Sequence, residues 1–204
     1  NPLAIRELLS CITAVMKPRL PSVWWMTDDI RAPDPRPVLA RLPRGSAVIL
    51  RHYGDPARAV LAADLAVLCR RYGLVLMIAG DWRLAAKVRA HGLHLPEHQA
   101  RRGPAPGARL WLNQSRRLLT AAAHGARGLA RASAIDADAA LLSPIFPTAS
   151  HALVRGIGVT RAVLMLRAAR LPVMALGGVG PRQAQRLTRR GFAGMAGVGF
   201  NLKD

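Results

Sequence analysis

Eight short apolar runs recur along the chain, each followed by a longer segment rich in Arg, Ala and Leu, and this alternation narrows the possible folds more than any other feature. The runs cover residues 22–26, 47–50, 74–79, 92–95, 109–112, 139–143, 172–176 and 194–198. Runs of four to six residues separated by helix-length segments predict parallel strands, buried on both faces and joined by crossover helices. Over 204 residues this pattern gives an open doubly wound sheet or a closed barrel, and the count of eight selects the barrel. The expectation is one α/β domain over residues 1–204, with a (β/α)8 TIM barrel spanning 22–200.

The segments between the runs carry helical spacing. Leu61, Leu65, Leu68, Cys69 and Tyr72 share one stripe, Arg58, Arg70 and Arg71 lie off it, and Gly73 supplies a stop. Residues 115–132 are predicted helical with Ser115 as N-cap, and Pro181 opens a helix that runs to Arg190 and ends at Gly191. Ile5, Leu8, Leu9, Ile12, Val15 and Met16 make a further stripe, a helix over 1–17 that needs a surface to bury against. Only Phe200 to Asp204 follow the eighth run, so the reading has no eighth covering helix and lets the N-terminal one take its place.

Charge and composition exclude other classes. Hydrophobic residues make up 51% of the chain and are spread along it, which is too apolar for a disordered segment, and no uninterrupted apolar stretch reaches membrane-spanning length. Cys11 and Cys69 form no ligand cluster or disulfide framework, and residues 1–16 lack a signal peptide's basic start, so the cytoplasm is the expected compartment. Thirty Lys plus Arg against 11 Asp plus Glu give a net charge of +19, which favours anionic ligands. The arginines fall as singles and pairs at polar positions of apolar segments, the pattern of solvated helix faces; a basic nucleic-acid-binding protein is the remote alternative.

The chemistry concentrates at the ends of the last strands. Ala175-Leu176-Gly177-Gly178-Val179 and Ala196-Gly197-Val198-Gly199 each open from an apolar strand into glycine. Loops after strands 7 and 8 of such barrels commonly hold phosphate, because glycine lets backbone N–H groups approach an anion. Thr148 and Ser150, two apart on the loop leaving the sixth strand, can add hydroxyl donors to that anion.

Residues 68–76, Gly92-Leu93-His94-Leu95, Ser143-Pro144-Ile145-Phe146-Pro147-Thr148 and Ala175-Leu176-Gly177-Gly178-Val179 resemble the thiamine phosphate synthase and TenI family, in order over nearly the whole chain. The resemblance implies a (β/α)8 barrel of thiamine biosynthesis. In the synthase, a transferase, a pyrimidine carbocation forms as Mg2+-bound pyrophosphate leaves, and a thiazole phosphate nitrogen captures it. TenI relatives instead tautomerise a thiazole phosphate carboxylate, or have no established reaction.

The resemblance assigns residues unevenly. Thr148 and Ser150 match the family's phosphate-binding hydroxyls, Gly177 and Gly178 its Gly-Gly turn, and Val198 with Gly199 the end of the eighth strand, Gly199 replacing a serine. Arg51 matches the arginine of an Arg-x-Lys pair, but Tyr53 stands at the lysine and becomes a substrate-pocket candidate. The Asn-Asp pair after strand 3 becomes Ala79-Gly80, with Asp81 one position on; the magnesium aspartate becomes Gln99, beside Glu97 and His98. A Mg2+ site would then use Asp81 and Glu97. The family's Ser-x-His after strand 5 becomes Asn113-Gln114-Ser115 in this reading, which loses the tautomerase base and makes Asn113 a pocket residue. His151 replaces a lysine and, with Arg51, is the catalytic candidate.

His52 and His151 are read at strand C-terminal ends, as anion contacts, proton carriers or solvated loop residues; His94 reads as a core or rim histidine, and His91 and His124 as exposed. Trp24 and Trp25 are adjacent on the first strand, so one faces the barrel interior and the other the helices, while Trp82 and Trp111 are placed near the mouth. The partner is a phosphorylated small heterocycle, not a membrane, and a homo-oligomer stays open. Two readings remain: a thiazole phosphate protein joining its ligand to pyrimidine pyrophosphate, or a diverged member that binds or regulates with altered chemistry.

Overall fold

The computed structural model describes residues 20–147 and 156–198. The N-terminal helix over 1–17, the segment after residue 198, and Thr148, Ser150, His151 and Gly199 lie outside the described residues. The described chain runs β1 (Val23–Met26), α1 (Arg36–Leu39), β2 (Ala47–Leu50), α2 (Arg58–Tyr72), β3 (Val75–Ala79), α3 (Trp82–Lys87), β4 (Gly92–Leu95) and α4 (Glu97–Ala100). It continues α5 (Pro106–Gln114), β5 (Leu118–Ala123), α6 (Ala126–Ala134), β6 (Ala139–Leu142), α7 (Val159–Ala168), β7 (Val173–Leu176), α8 (Pro181–Thr188) and β8 (Gly194–Gly197). All eight strands pair in parallel with their sequence neighbours, and β8 closes on β1, giving the (β/α)8 barrel.

Strand alternation divides the interior in two. Trp24, Met26, Ile49, Met77, Leu141 and Met174 fill the barrel, while Trp25, Val48, Leu50, Leu76, Ile78 and Leu142 pack outward on the helices. The adjacent tryptophans thus serve opposite faces: Trp24 Nε1 donates to the Pro21 carbonyl and Trp25 Nε1 to that of Val198. On α2 the buried face is Leu61, Ala62, Leu65, Ala66 and Cys69, and Gly73 ends the helix in the left-handed conformation at φ 66°. Burial pushes the Cys69 thiol up to about 12, so it is an inert core group.

The fifth unit departs from the sequence reading. Residues 109–112 lie in α5, and the strand is Leu118–Ala123, inside the segment predicted as helix. Pro106 starts α5, and its burial is one-sided: Ala108, Trp111 and Leu112 are buried while Leu110 is exposed. The Ala-rich run 118–123 has high helix propensity, but it is wrapped by β4 and β6 and nearly all buried, so tertiary packing decides. Asn113 therefore sits exposed near the end of α5 rather than after a strand, on a cleft with Arg109, Arg116 and Asp136. Trp82 begins α3 and Trp111 lies in α5 under Arg117, so neither narrows the mouth as expected. Among the described residues no helix is long and apolar enough to cross a membrane.

Candidate active site at the barrel mouth

A cavity of about 2140 Å³ runs from the C-terminal ends of the strands, where Asp28, Arg51, Tyr53, His94, Glu97, His124, Gly177 and Gly178 line it, to the outer face of β1 and β8, where Val23, Leu42, Thr188 and Met195 line it. The loops after β6 and β7 are stitched together along one side of it. Ile145 N–H donates to the Leu176 carbonyl and Phe146 N–H to that of Gly177, and the chain returns with Ile157 and Gly158 donating to Pro144 and Ile145. Gly177 and Gly178 take consecutive positive φ values of 94° and 66°, which side-chain-bearing residues adopt only with strain. A Cβ on Gly178 would stand 2.8 Å from both Phe146 Cβ and the Pro147 carbonyl oxygen. Pro147, which directly precedes Thr148, is therefore held against the Gly-Gly turn.

The side after β1 and β2 carries Arg31 and Arg51. Arg51 N–H donates to Thr27 Oγ1 at 3.0 Å, and the Thr27 hydroxyl pairs with His52 Nδ1 at 2.9 Å. His52 Nε2 lies 3.3 Å from the Pro33 carbonyl, which can only accept, so Nε2 bears the proton and Nδ1 accepts from Thr27. His52 is thus a buried tie between the β1 loop and the end of β2, not a solvated residue. Burial pushes the Asp28 carboxyl up, but the N–H groups of Arg31 and Ile30 and the charges of Arg51 and Arg31 outweigh it and leave it lowered. Half-exposed Tyr53 has its phenol pushed up by burial against the opposing pull of Arg51 and Arg58, whose guanidinium stacks 5.4 Å over the ring. Arg58 itself reaches the Ala79 carbonyl, and burial lowers it against the support of Asp81.

At the floor, His94 points into the barrel and its Nδ1 pairs with Thr120 Oγ1 at 2.9 Å. Complete burial, then the charge of Arg51, pushes this imidazole down to about 3, so it stays neutral. It is the core or rim histidine that the sequence suggested.

The proposed metal ligands are otherwise engaged. Asp81 is the N-cap of α3, its Oδ1 accepting from Leu84 N–H at 3.0 Å, and it is not among the residues lining the mouth. Glu97 Oε2 lies 2.5 Å from His124 Nδ1. Ala79, Gly80 and Gln99 bring no carboxylate, and among the described residues no group of three His, Cys, Asp or Glu side chains could hold a metal. These residues do not fit the Mg2+ site that the resemblance implies.

Moving the fifth strand also changes which residues stand at the family's Ser-x-His. Ala122 and Ala123 end β5 and His124 follows, so the histidine that the resemblance expects there is His124, and only the serine, replaced by Ala122, is lost. The signal in the sequence was His124-Gly125 closing the run 118–123.

Fold and mouth together define a (β/α)8 barrel with a cavity that opens on the strand C-terminal face, between a glycine turn after β7 and Arg51 after β2. Residues 27–199 match the family described as thiamine monophosphate synthase. The chain belongs to that family. It is 31% identical over 193 residues to the thiamine-phosphate synthase of Alcanivorax borkumensis, covering 87% of this chain and 83% of that one. It is 32% identical over 159 residues to the thiamine-phosphate synthase of Bordetella avium, covering 72% and 68%. A solved thiamine phosphate pyrophosphorylase from Pyrococcus furiosus shares the fold with a TM-score of 0.69 at 22% identity, covering 88% and 86%.

Proposed function

We propose that the mouth binds a thiazole phosphate and that His124 moves a proton on the bound heterocycle. The phosphate would take backbone N–H groups of Gly177 and Gly178 and of Val198 and Gly199, with hydroxyl donors from Thr148 and Ser150. The observation that carries this reading is the pair of left-handed glycines after β7, the second of which, Gly178, packs so closely on Phe146 and Pro147 that no side chain fits. Proton transfer is the better-supported chemistry because a histidine stands after β5 while Tyr53 replaces the second cation a departing pyrophosphate needs.

Joining the thiazole to pyrimidine pyrophosphate is the second reading; Arg51 at the mouth and the names of the relatives favour it. In that case Arg51 and His151 would face the pyrophosphate and Tyr53 the pyrimidine. Membership of a biosynthetic enzyme family supports the cytoplasm as the compartment of this work. The test is to incubate the protein with thiazole phosphate carboxylate, following its isomers by NMR, and separately with both synthase substrates and Mg2+, following thiamine phosphate by mass spectrometry. Isomerisation that Thr148→Val slows supports the proposal; thiamine phosphate without isomerisation replaces it by the second reading.

A further inference from the structure

Glu97 and His124 come from neighbouring strands: Glu97 opens α4 directly after β4, and His124 follows β5. β4 and β5 pair in parallel, so their C-terminal loops lie side by side, and both side chains line the mouth. Glu97 Oε2 meets His124 Nδ1 at 2.5 Å, with Glu97 the more buried of the two at 23% side-chain exposure against 54%. A carboxylate can only accept, so the shared proton is on Nδ1, and the nitrogen left to a ligand is Nε2.

A second feature fits the carboxylate into its place. Gly128 lies within α6, where glycine costs about 1 kcal/mol relative to alanine. A Cβ there would stand 3.0 Å from Glu97 Oε1 and 2.9 Å from Ala123 on β5. The helix thus leaves its surface bare where the carboxylate and the end of β5 pack. Gln99 is neutral, so Glu97 is the acidic residue of α4.

We infer that Glu97 is a positioning residue, which holds His124 in the Nδ1–H tautomer and presents Nε2 to the heterocycle as the proton-accepting nitrogen. Nε2 takes a proton from the bound ring, and the imidazolium so formed returns one at another position of the same ligand. Substrate and product are isomers, and no co-reactant is consumed. The inference rests on the thiazole phosphate reading for its substrate, while the tautomer itself can be measured without any ligand.

The experiment is nitrogen NMR of the histidine rings in the whole protein, free of ligand, for wild type, Glu97→Gln and Glu97→Ala, beside kcat and KM for thiazole isomerisation. Wild-type His124 is expected as the Nδ1–H form. Glu97→Gln keeps an acceptor and most of that form; Glu97→Ala moves the proton to Nε2 and lowers kcat by about 10²-fold with KM unchanged. An unchanged ring pattern in Glu97→Ala overturns the inference whatever the activity, and a changed pattern with full kcat overturns Glu97's part in catalysis. An inactive wild type with the expected ring pattern refutes the proposed reaction but supports the pairing. Denaturation midpoints of the variants, with Gln as the shape-conserving control, separate these outcomes from misfolding.

Discussion

Replacing Gly178 by alanine tests the packing that shapes the mouth, and Gly45 supplies its internal control. Both glycines have positive φ, 66° at Gly178 and 83° at Gly45, so alanine at either pays the left-handed strain of about 1–2 kcal/mol. Around Gly45 nothing lies within 4 Å of an added Cβ, so the strain is the whole effect. At Gly178 the same Cβ meets Phe146 Cβ and the Pro147 oxygen at 2.8 Å, whereas ordinary contact begins at 3.4 Å. The difference, 3.4 − 2.8 = 0.6 Å, must be taken up by the loop after β6, part of which is backbone hydrogen-bonded to the end of β7. Overpacking of this kind adds about 1–3 kcal/mol, for a total of about 2–5 kcal/mol. On the proposed reading, displacing the turn also removes a backbone donor to the phosphate, worth about 1.5–3 kcal/mol, or roughly 10- to 150-fold in affinity. Urea denaturation of both variants and calorimetric titration with thiazole phosphate give the two numbers. Equal destabilisation of Gly178→Ala and Gly45→Ala, with thiazole phosphate affinity unchanged, would refute the reasoning.

Three further outcomes follow from the same interactions. His94 is neutral in the fold, down to about 3, against 6.5 for a free histidine, so the unfolded chain binds the extra proton between these values. Stability is full above pH 6.5 and falls as pH drops toward 3, by about 1.4 kcal/mol per unit from this group; urea midpoints against pH should flatten in His94→Gln. Asp81→Ala should cost about 1 kcal/mol by loss of the α3 cap while Asp81→Asn stays near wild type in thermal melts; loss of Mg2+-dependent turnover in Asp81→Asn at full stability would restore it as a metal ligand. Thr27→Val strands the Arg51 N–H and His52 Nδ1 and should cost roughly 1–3 kcal/mol by denaturation, and an unchanged midpoint would contradict the buried tie.

Much of the barrel was legible because a strand buried on both faces leaves an uninterrupted apolar run, and seven of the eight runs are strands within a residue or two of their expected bounds. The fifth was misread because a four-residue apolar run carries no period: Arg109-Leu110-Trp111-Leu112 suits a strand or one helical turn equally. Pro106 at the helix start and Gly125 after His124 were the local signals that distinguish the two. That single shift hid His124, put Ser115 in its stead and made Asn113 a pocket residue. Asp81 was legible as a cap from its place before Trp82, and its carboxylate chemistry drew the metal reading instead. The Glu97–His124 contact joins residues 27 apart and depends on β4 lying beside β5, which spacing along the chain does not encode.

The most direct test of the account is calorimetric titration of the protein with thiazole phosphate and with the corresponding thiazole alcohol under identical conditions. Saturable one-to-one binding of the phosphate ester, lost or greatly weakened for the alcohol, is the expected result. Equal binding of the two, or none by either, would contradict the claim that the turns after the last strands of this barrel grip a phosphate.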